Sequence, residues 1–161
     1  MQISDRIKTI TKDLSNMYDV LSMIKSELVS SYKQDIGLRG KTLRQANIEH
    51  SSLLGYYDEI RINLQSLHDY LELRLAEKKA KVIRYIVENS SHEYGERMID
   101  KLVEDDPQYI ELKLKNIEVN EVYELSKAIV RQFEQRSYSL NNISRLVVAQ
   151  AQDDSLILTH D

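Results

Sequence analysis

The side chains with the clearest chemical potential lie in one short basic segment, residues 73–85. The segment holds one carboxylate, Glu77, and five cations, which are Arg74, Lys78, Lys79, Lys81 and Arg84. Its formal charge is therefore +4, although the whole chain carries −4. Cations spaced along a surface are the groups that neutralise the phosphates of a nucleic acid. The segment therefore predicts contact with a polyanion.

Helical spacing would place most of these cations on one side of a helix. At about 100° per residue, Arg74, Lys78 and Lys81 fall within roughly 60° of each other. Tyr85 continues the same line, and an exposed aromatic ring offers a surface on which a base can stack. Lys79 is an exception on the opposite, apolar side. The predicted nucleic-acid contacts are Arg74, Lys78, Lys79, Lys81, Arg84 and Tyr85.

Other interpretations of the basic segment stay open. A run of Lys and Arg is often only the solvated face of a helix, and Glu77 with Lys81 could form an ordinary i,i+4 ion pair. An anionic membrane or an acidic protein would attract the same charge. The apolar side of this helix is better suited to packing than to lipid.

No catalytic or metal-binding pattern accompanies the basic segment. None of the four histidines has a spacing such as H-E-x-x-H; they are His50, His68, His92 and His160. Gly40-Lys41-Thr42 imitates the end of a phosphate-binding loop but lacks the preceding strand and the upstream glycine. The chain has no cysteine, which excludes disulfides and thiol nucleophiles and is compatible with a reducing cytoplasm. We expect no enzymatic activity, no metal and no cofactor.

Long helices are the elements that would position the basic segment. Apolar side chains recur in steps of three and four along residues 46–71 and again along residues 3–28. One proline and four glycines leave few places to turn. The predicted fold class is all-α: an elongated helical hairpin or bundle of long amphipathic helices with short C-terminal helices, forming a ring-like oligomer.

Turn and cap signals divide the chain into four parts. They are an N-terminal amphipathic helix (1–36), a long central helix with a basic end (42–90), a C-terminal helical assembly region (94–152) and an acidic tail (153–161). Gly37 and Gly40 provide the first turn, and Thr42 can cap the central helix. The first helix is predicted to run without a break to about Tyr32.

The C-terminal region is predicted to hold three helices. A short one covers Glu96 to Val103, a long one starts at Asp106-Pro107, where a cap precedes proline at the first helical position, and a last short one is capped by Ser139. Apolar side chains on these helices are the predicted oligomerisation contacts. They are Ile110, Leu114, Ile117, Leu125, Ile129, Phe133 and Ile143.

The order of these parts resembles the phage recombination mediator family typified by UvsY. The similarity covers residues 42–150 and rests on AEKKAKVIRYIVENSS at the end of a long helix, a short helix, an acidic break, another long helix and RSYSLNNISRL. Lys81 and Arg84 match the family's basic pair, with one residue more between them, and Tyr85 stands near its aromatics. The glycine expected shortly afterwards is absent, and Ser90-Ser91 occupies its region.

The resemblance implies a non-enzymatic mediator that binds single-stranded DNA. It also implies two protein partners, a single-strand binding protein that is displaced and a strand-exchange recombinase that is loaded, and a ring built from the C-terminal helices. An alternative from a different class is a scaffold or adaptor of phage assembly. In that case the apolar seam from Leu53 to Leu71 forms a coiled coil between chains, and the lysines are only solvated.

Overall fold

The computed structural model of the protein is built from α-helices. It describes residues 3–90 and 94–157, with side chains as far as Ala151. Within those residues the helices are α1 (Ile3–Lys12), α2 (Met17–Asp35), α3 (Leu43–Asn89), α4 (Glu96–Glu104) and α5 (Pro107–Ile157), and no strand is present. The all-α prediction is therefore confirmed.

Local signals before α3 place its first turn. The Thr42 hydroxyl accepts a hydrogen bond from the Gln45 backbone N–H at 3.2 Å, and the Gln45 side chain accepts one from the Thr42 N–H at 3.0 Å. This reciprocal capping box satisfies two amide groups that a helix start would leave unpaired. Gly40 adopts a φ of 76°, which glycine tolerates because it has no Cβ. The predicted turn and cap are both present.

The main unit of the fold is an antiparallel hairpin of α3 and α5. Asn116 of α5 donates a hydrogen bond to Glu72 of α3 at 2.6 Å, and Lys78 of α3 donates one to Gln108 of α5 at 2.8 Å. The two helices therefore run in opposite directions. The buried residues of α3 follow the predicted seam and end at Leu71; they are Ala46, His50, Tyr57, Ile60, Leu64, Leu67 and Leu71. The seam is therefore filled within one protomer.

A second hairpin, α1 with α2, shares the core with the part of α3 that ends at Leu71. Arg6 and Glu27 join α1 to α2 at 2.7 Å, and Lys25 and Glu121 join α2 to α5 at 3.0 Å. Both helices contribute buried side chains to the core shared with α3 and α5; they are Ile3, Ile7, Ile10, Met17, Leu21, Ile24 and Leu28. Four helices thus surround the core up to Leu71, where the buried part of α3 ends.

Two predicted helix boundaries are wrong. The N-terminal segment is two helices, because residues 13–16 form a turn in which the Ser15 N–H donates to the Asp13 carboxylate at 2.9 Å. No break occurs near Ser139, whose hydroxyl donates to the Gln135 carbonyl at 3.2 Å instead of capping a new helix. The buried face of α5 continues through this region to Leu140, and it keeps the helix intact.

Candidate nucleic-acid interface

The basic segment lies on the part of α3 that continues past the shared core. Leu71 is the last buried residue of α3, and all six predicted contacts follow it in sequence. Two other elements accompany this end of α3. The nine-residue α4 packs on one side of it, and the first turns of α5 lie along another.

A groove of about 350 Å³ separates the basic segment from the start of α5. Its lining is Arg74, Glu77, Lys78 and Lys81 from α3 with Gln108, Glu111 and Leu112 from α5. The structure therefore brings together the three cations that helical spacing placed on one side. They do not turn outward as a free stripe, since they form one wall of a groove whose other wall is α5.

Lys78 is engaged by the start of α5. Its ammonium nitrogen lies 3.1 Å from the Asp106 carboxylate and donates to the Gln108 side chain at 2.8 Å. Burial alone would raise the pKa of Asp106, but the Tyr109 backbone N–H, donating at 2.8 Å, and the Lys78 ammonium together lower that pKa below its usual range. Asp106 is therefore an ionised partner that caps α5 and neutralises Lys78. Lys78 is therefore engaged within the chain, whereas its predicted contact with DNA stays a prediction.

Two further cations have carboxylate partners. Arg74 pairs with Glu77 on its own helix at 3.0 Å, and Lys79 pairs with Asp100 of α4 at 3.0 Å. The hydrogen bond to Asp100 raises the pKa of Lys79 above its ordinary value. Lys79 faces α4, in agreement with its predicted position on the side opposite the other cations. Both pairs lie at the surface, where solvent screens them.

Lys81, Arg84 and Tyr85 form a cluster that is left open. Among the residues whose side chains are described, 3–90 and 94–151, none forms a hydrogen bond or an ion pair with the side chain of Lys81 or Arg84. Both are exposed, and the Tyr85 ring is 68% exposed one residue further on. The cluster combines two available cations with a flat ring, which are the groups that bind phosphate and stack on a base.

The predicted oligomerisation residues divide between the core and the surface. Ile129 and Phe133 are buried in the protomer, where the Phe133 ring stacks on Tyr57 at 5.0 Å. Leu125 is half-buried against the same core. These three side chains therefore pack within their own chain, and their predicted role in oligomerisation stays a prediction. The other four are exposed; they are Ile110, Leu114, Ile117 and Ile143.

Near the end of α5, exposed apolar side chains accompany Ile143 that were not among the predicted oligomerisation contacts. Leu140 is the last buried residue of its seam, and the same spacing continues to Ile143 and Val147, which are exposed. Leu146 and Val148 beside them are exposed as well. The signal that could have found them is the seam itself, since it runs beyond the residues that α3 covers.

His50, His68 and the loop at Gly40 are not among the residues that line the groove. His50 is buried beside Phe133, with 6.3 Å between ring centroids, and His68 stacks on Tyr123 at 6.0 Å. His92 and His160 lie outside the described residues. Lys41 forms an ion pair with Glu49 at 2.5 Å.

No protein-family model, curated protein or solved structure matches this chain. In the part of the chain that the structure describes, no helix is long and apolar enough to cross a bilayer. Over the same residues, no three His, Asp or Glu side chains come together as metal ligands would.

Proposed function

We propose that the protein is a non-enzymatic recombination mediator that binds single-stranded DNA at the end of α3. In this role it helps load a strand-exchange recombinase onto DNA coated by a single-strand binding protein. The observation that carries the proposal is the open cluster of Lys81, Arg84 and Tyr85. The recombination context comes from the resemblance over residues 42–150, whereas the DNA contact rests on the chemistry of this cluster.

The ion pairs reduce the basic surface without removing it. Exposed ion pairs contribute only about 0–1 kcal/mol, so a phosphate can replace the carboxylate as partner. Arg74 and Lys79 are about half exposed and are available for such an exchange. The Lys78 side chain is 19% exposed, and its partners are Asp106 just before α5 and Gln108 on α5, so it belongs to the wall of the groove. Lys81 and Arg84 are therefore the principal contacts.

Two cations per protomer bind DNA weakly, so the mediator role requires several copies. Linking weak sites multiplies them through effective concentration, provided that the geometry lets them engage the same strand. The exposed apolar residues of α5, Ile110, Leu114, Ile117 and Ile143, support such an assembly. A head-to-tail contact between copies closes into a ring when the rotation allows it. The −8 carried by the rest of the chain keeps DNA from other surfaces.

A scaffold or adaptor protein is the second candidate, and the exposed apolar side chains of α5 favour it equally. The coiled-coil seam from Leu53 to Leu71 does not serve this role, because α1, α2 and α5 fill it within the protomer. Assembly would therefore use α5. This candidate predicts oligomers that ignore DNA.

Fluorescence anisotropy with labelled oligo-dT distinguishes the two candidates. We expect Lys81→Ala/Arg84→Ala to lose about 60-fold in affinity at 50 mM salt, because two contacts with a slope of about 0.7 each contribute that factor relative to about 1 M salt. The control Arg44→Ala/Arg131→Ala removes the same charge from exposed residues outside the basic segment and should bind as the wild type does. A mass measurement by light scattering should give the same oligomer for all three proteins.

The salt dependence shows how many cations take part. If only Lys81 and Arg84 contact phosphates, affinity should fall about 7-fold between 50 and 200 mM salt; with all five cations it should fall about 130-fold. Equal binding by the wild type and Lys81→Ala/Arg84→Ala would remove the proposed DNA site. Stable oligomers without any DNA affinity would favour the second candidate, a scaffold or adaptor protein.

A further inference from the structure

The carboxylates that pair with the basic segment across elements come from one short stretch, residues 100–106. Asp100 lies on α4 and holds Lys79, and Asp106 follows α4 and holds Lys78. Both nitrogen-to-oxygen distances, 3.0 and 3.1 Å, are those of direct ion pairs. Within this stretch the sequence has a run of three acids, Glu104 to Asp106. Negative oxygens thus occupy positions beside the basic segment that phosphates would take.

The helix that supplies Asp100 is lightly anchored. Among the nine residues of α4, Val103 is the one that is fully buried, and Ile99 and Leu102 are half-buried. Its N-cap, Gly95, has no side chain that could hold the first turn. A segment with few buried apolar contacts opens at a lower free energy than the core. α4 is therefore held by fewer buried side chains than the α3–α5 hairpin.

We propose that α4 and the acidic turn after it act as an internal competitor for DNA. The carboxylates of Asp100 and Asp106 hold Lys79 and Lys78 until a strand with several phosphates displaces them. This inference rests on the proposed DNA-binding function and concerns the regulation of that same site. Lys81 and Arg84 make the first contact, and Lys78 and Lys79 are added when the acids are displaced.

The competition follows from the chemistry of the two kinds of acceptor. A carboxylate and a phosphate both accept short, charge-assisted hydrogen bonds from an ammonium group. The carboxylates belong to the same chain, so their effective concentration is high and an isolated phosphate cannot displace them. A longer strand can, because contacts at Lys81 and Arg84 hold it in place. The competitor thus favours continuous single strands over short fragments and free nucleotides.

The test is Asp100→Asn/Asp106→Asn, which removes both charges and preserves the start of α5. Asparagine caps helices about as well as aspartate, so its side-chain oxygen can still accept from the Tyr109 N–H. With about 1.4-fold to fivefold for each ion pair released, the range of exposed pairs, we expect oligo-dT to bind about 2-fold to 25-fold more tightly. The salt slope should steepen by up to about 1.4, the value reached if the wild-type carboxylates hold both cations in most complexes.

The control is Glu49→Gln/Glu121→Gln, which removes the same charge from two ion pairs elsewhere. These glutamates pair with Lys41 and Lys25 in the half of the molecule that contains α1 and α2. A larger gain for Asp100→Asn/Asp106→Asn than for the control supports the competitor. The single variant Asp100→Asn leaves the cap of α5 untouched and should show about half of the effect on the salt slope.

The possible failures are distinguishable. If the wild type binds oligo-dT but the Asp100→Asn/Asp106→Asn protein and the control gain equally, the competitor is wrong and DNA binding stands. If Asp100→Asn alone also leaves the salt slope unchanged, the competitor is again wrong. This result cannot be attributed to a disturbed α5 cap, because Asp106 is intact in that variant. If none of the proteins binds oligo-dT, the proposed function is wrong and the competitor falls with it.

Discussion

Replacing Phe133 by alanine tests whether this ring stabilises the protomer or joins two chains. The ring is 0% exposed, stacks on Tyr57 at 5.0 Å and meets the Tyr32 ring edge-on at 6.3 Å. Phe→Ala substitutions in packed cores cost about 3–5 kcal/mol of unfolding free energy. We expect the upper part of that range, because about 0.5–1.5 kcal/mol for each aromatic pair is lost as well.

The assay is urea unfolding followed by circular dichroism at 222 nm, at several protein concentrations. The matched control is Leu114→Ala on the same helix, whose side chain is 52% exposed and whose removal should change protomer stability by less than about 0.5 kcal/mol. Concentration dependence separates protomer stability from assembly, since an assembled protein is stabilised by mass action. A loss below about 1.5 kcal/mol for Phe133→Ala, together with a smaller oligomer, would refute the core assignment.

Two further predictions concern titration and stacking. His50 is buried, and burial together with the nearby Arg136 guanidinium lowers its pKa below 6.5. The unfolded chain therefore binds a proton at this histidine more readily than the folded chain does. The unfolding free energy should consequently fall as pH drops below about 6.5. Urea midpoints at pH 7 and pH 5 should therefore differ more for the wild type than for His50→Gln. Tyr85→Ala should weaken oligo-dT binding by about 1–3 kcal/mol in anisotropy, whereas Tyr85→Phe and the equally exposed Tyr138→Ala should not.

Sequence periodicity predicted the buried face of α3 correctly, because that face follows from the regular spacing of apolar residues along one helix. The buried face of α3 from Ala46 to Leu71 has the spacing that the sequence shows, and Thr42 caps the helix as expected. Periodicity failed where the same spacing crosses a turn. Ile10, Leu14 and Met17 keep their three- and four-residue steps through residues 13–16, so the α1–α2 turn leaves no mark in the pattern.

The state of the basic segment could not be derived in the same way. The partners of Lys78 and Lys79 lie 28 and 21 residues further along the chain, and only the packing of α4 and α5 brings them near. The acids themselves are visible in the sequence, and helix capping explains Asp106 correctly. A carboxylate can cap a helix and form an ion pair at the same time. The predicted cap at Asp106 therefore gave no indication of its ion pair with Lys78.

The separation between the open cluster and the far end of α5 determines how binding and assembly can be told apart. Lys81 lines the groove with the first turns of α5, whereas Ile143 follows Pro107 by 36 residues, which corresponds to about 54 Å along a helix. Substitutions more than about 10 Å apart with no shared partner act independently. A change at Lys81 or Arg84 therefore has no direct route to an assembly contact at Ile143, whereas Ile110, Leu114 and Ile117 lie in the first turns of α5, on the side of the basic segment. If a change at Lys81 or Arg84 abolishes DNA binding and leaves the mass of the oligomer unchanged, these residues contact DNA directly. If DNA binding and the oligomer are lost together, the basic segment lies in an interface between copies of the chain.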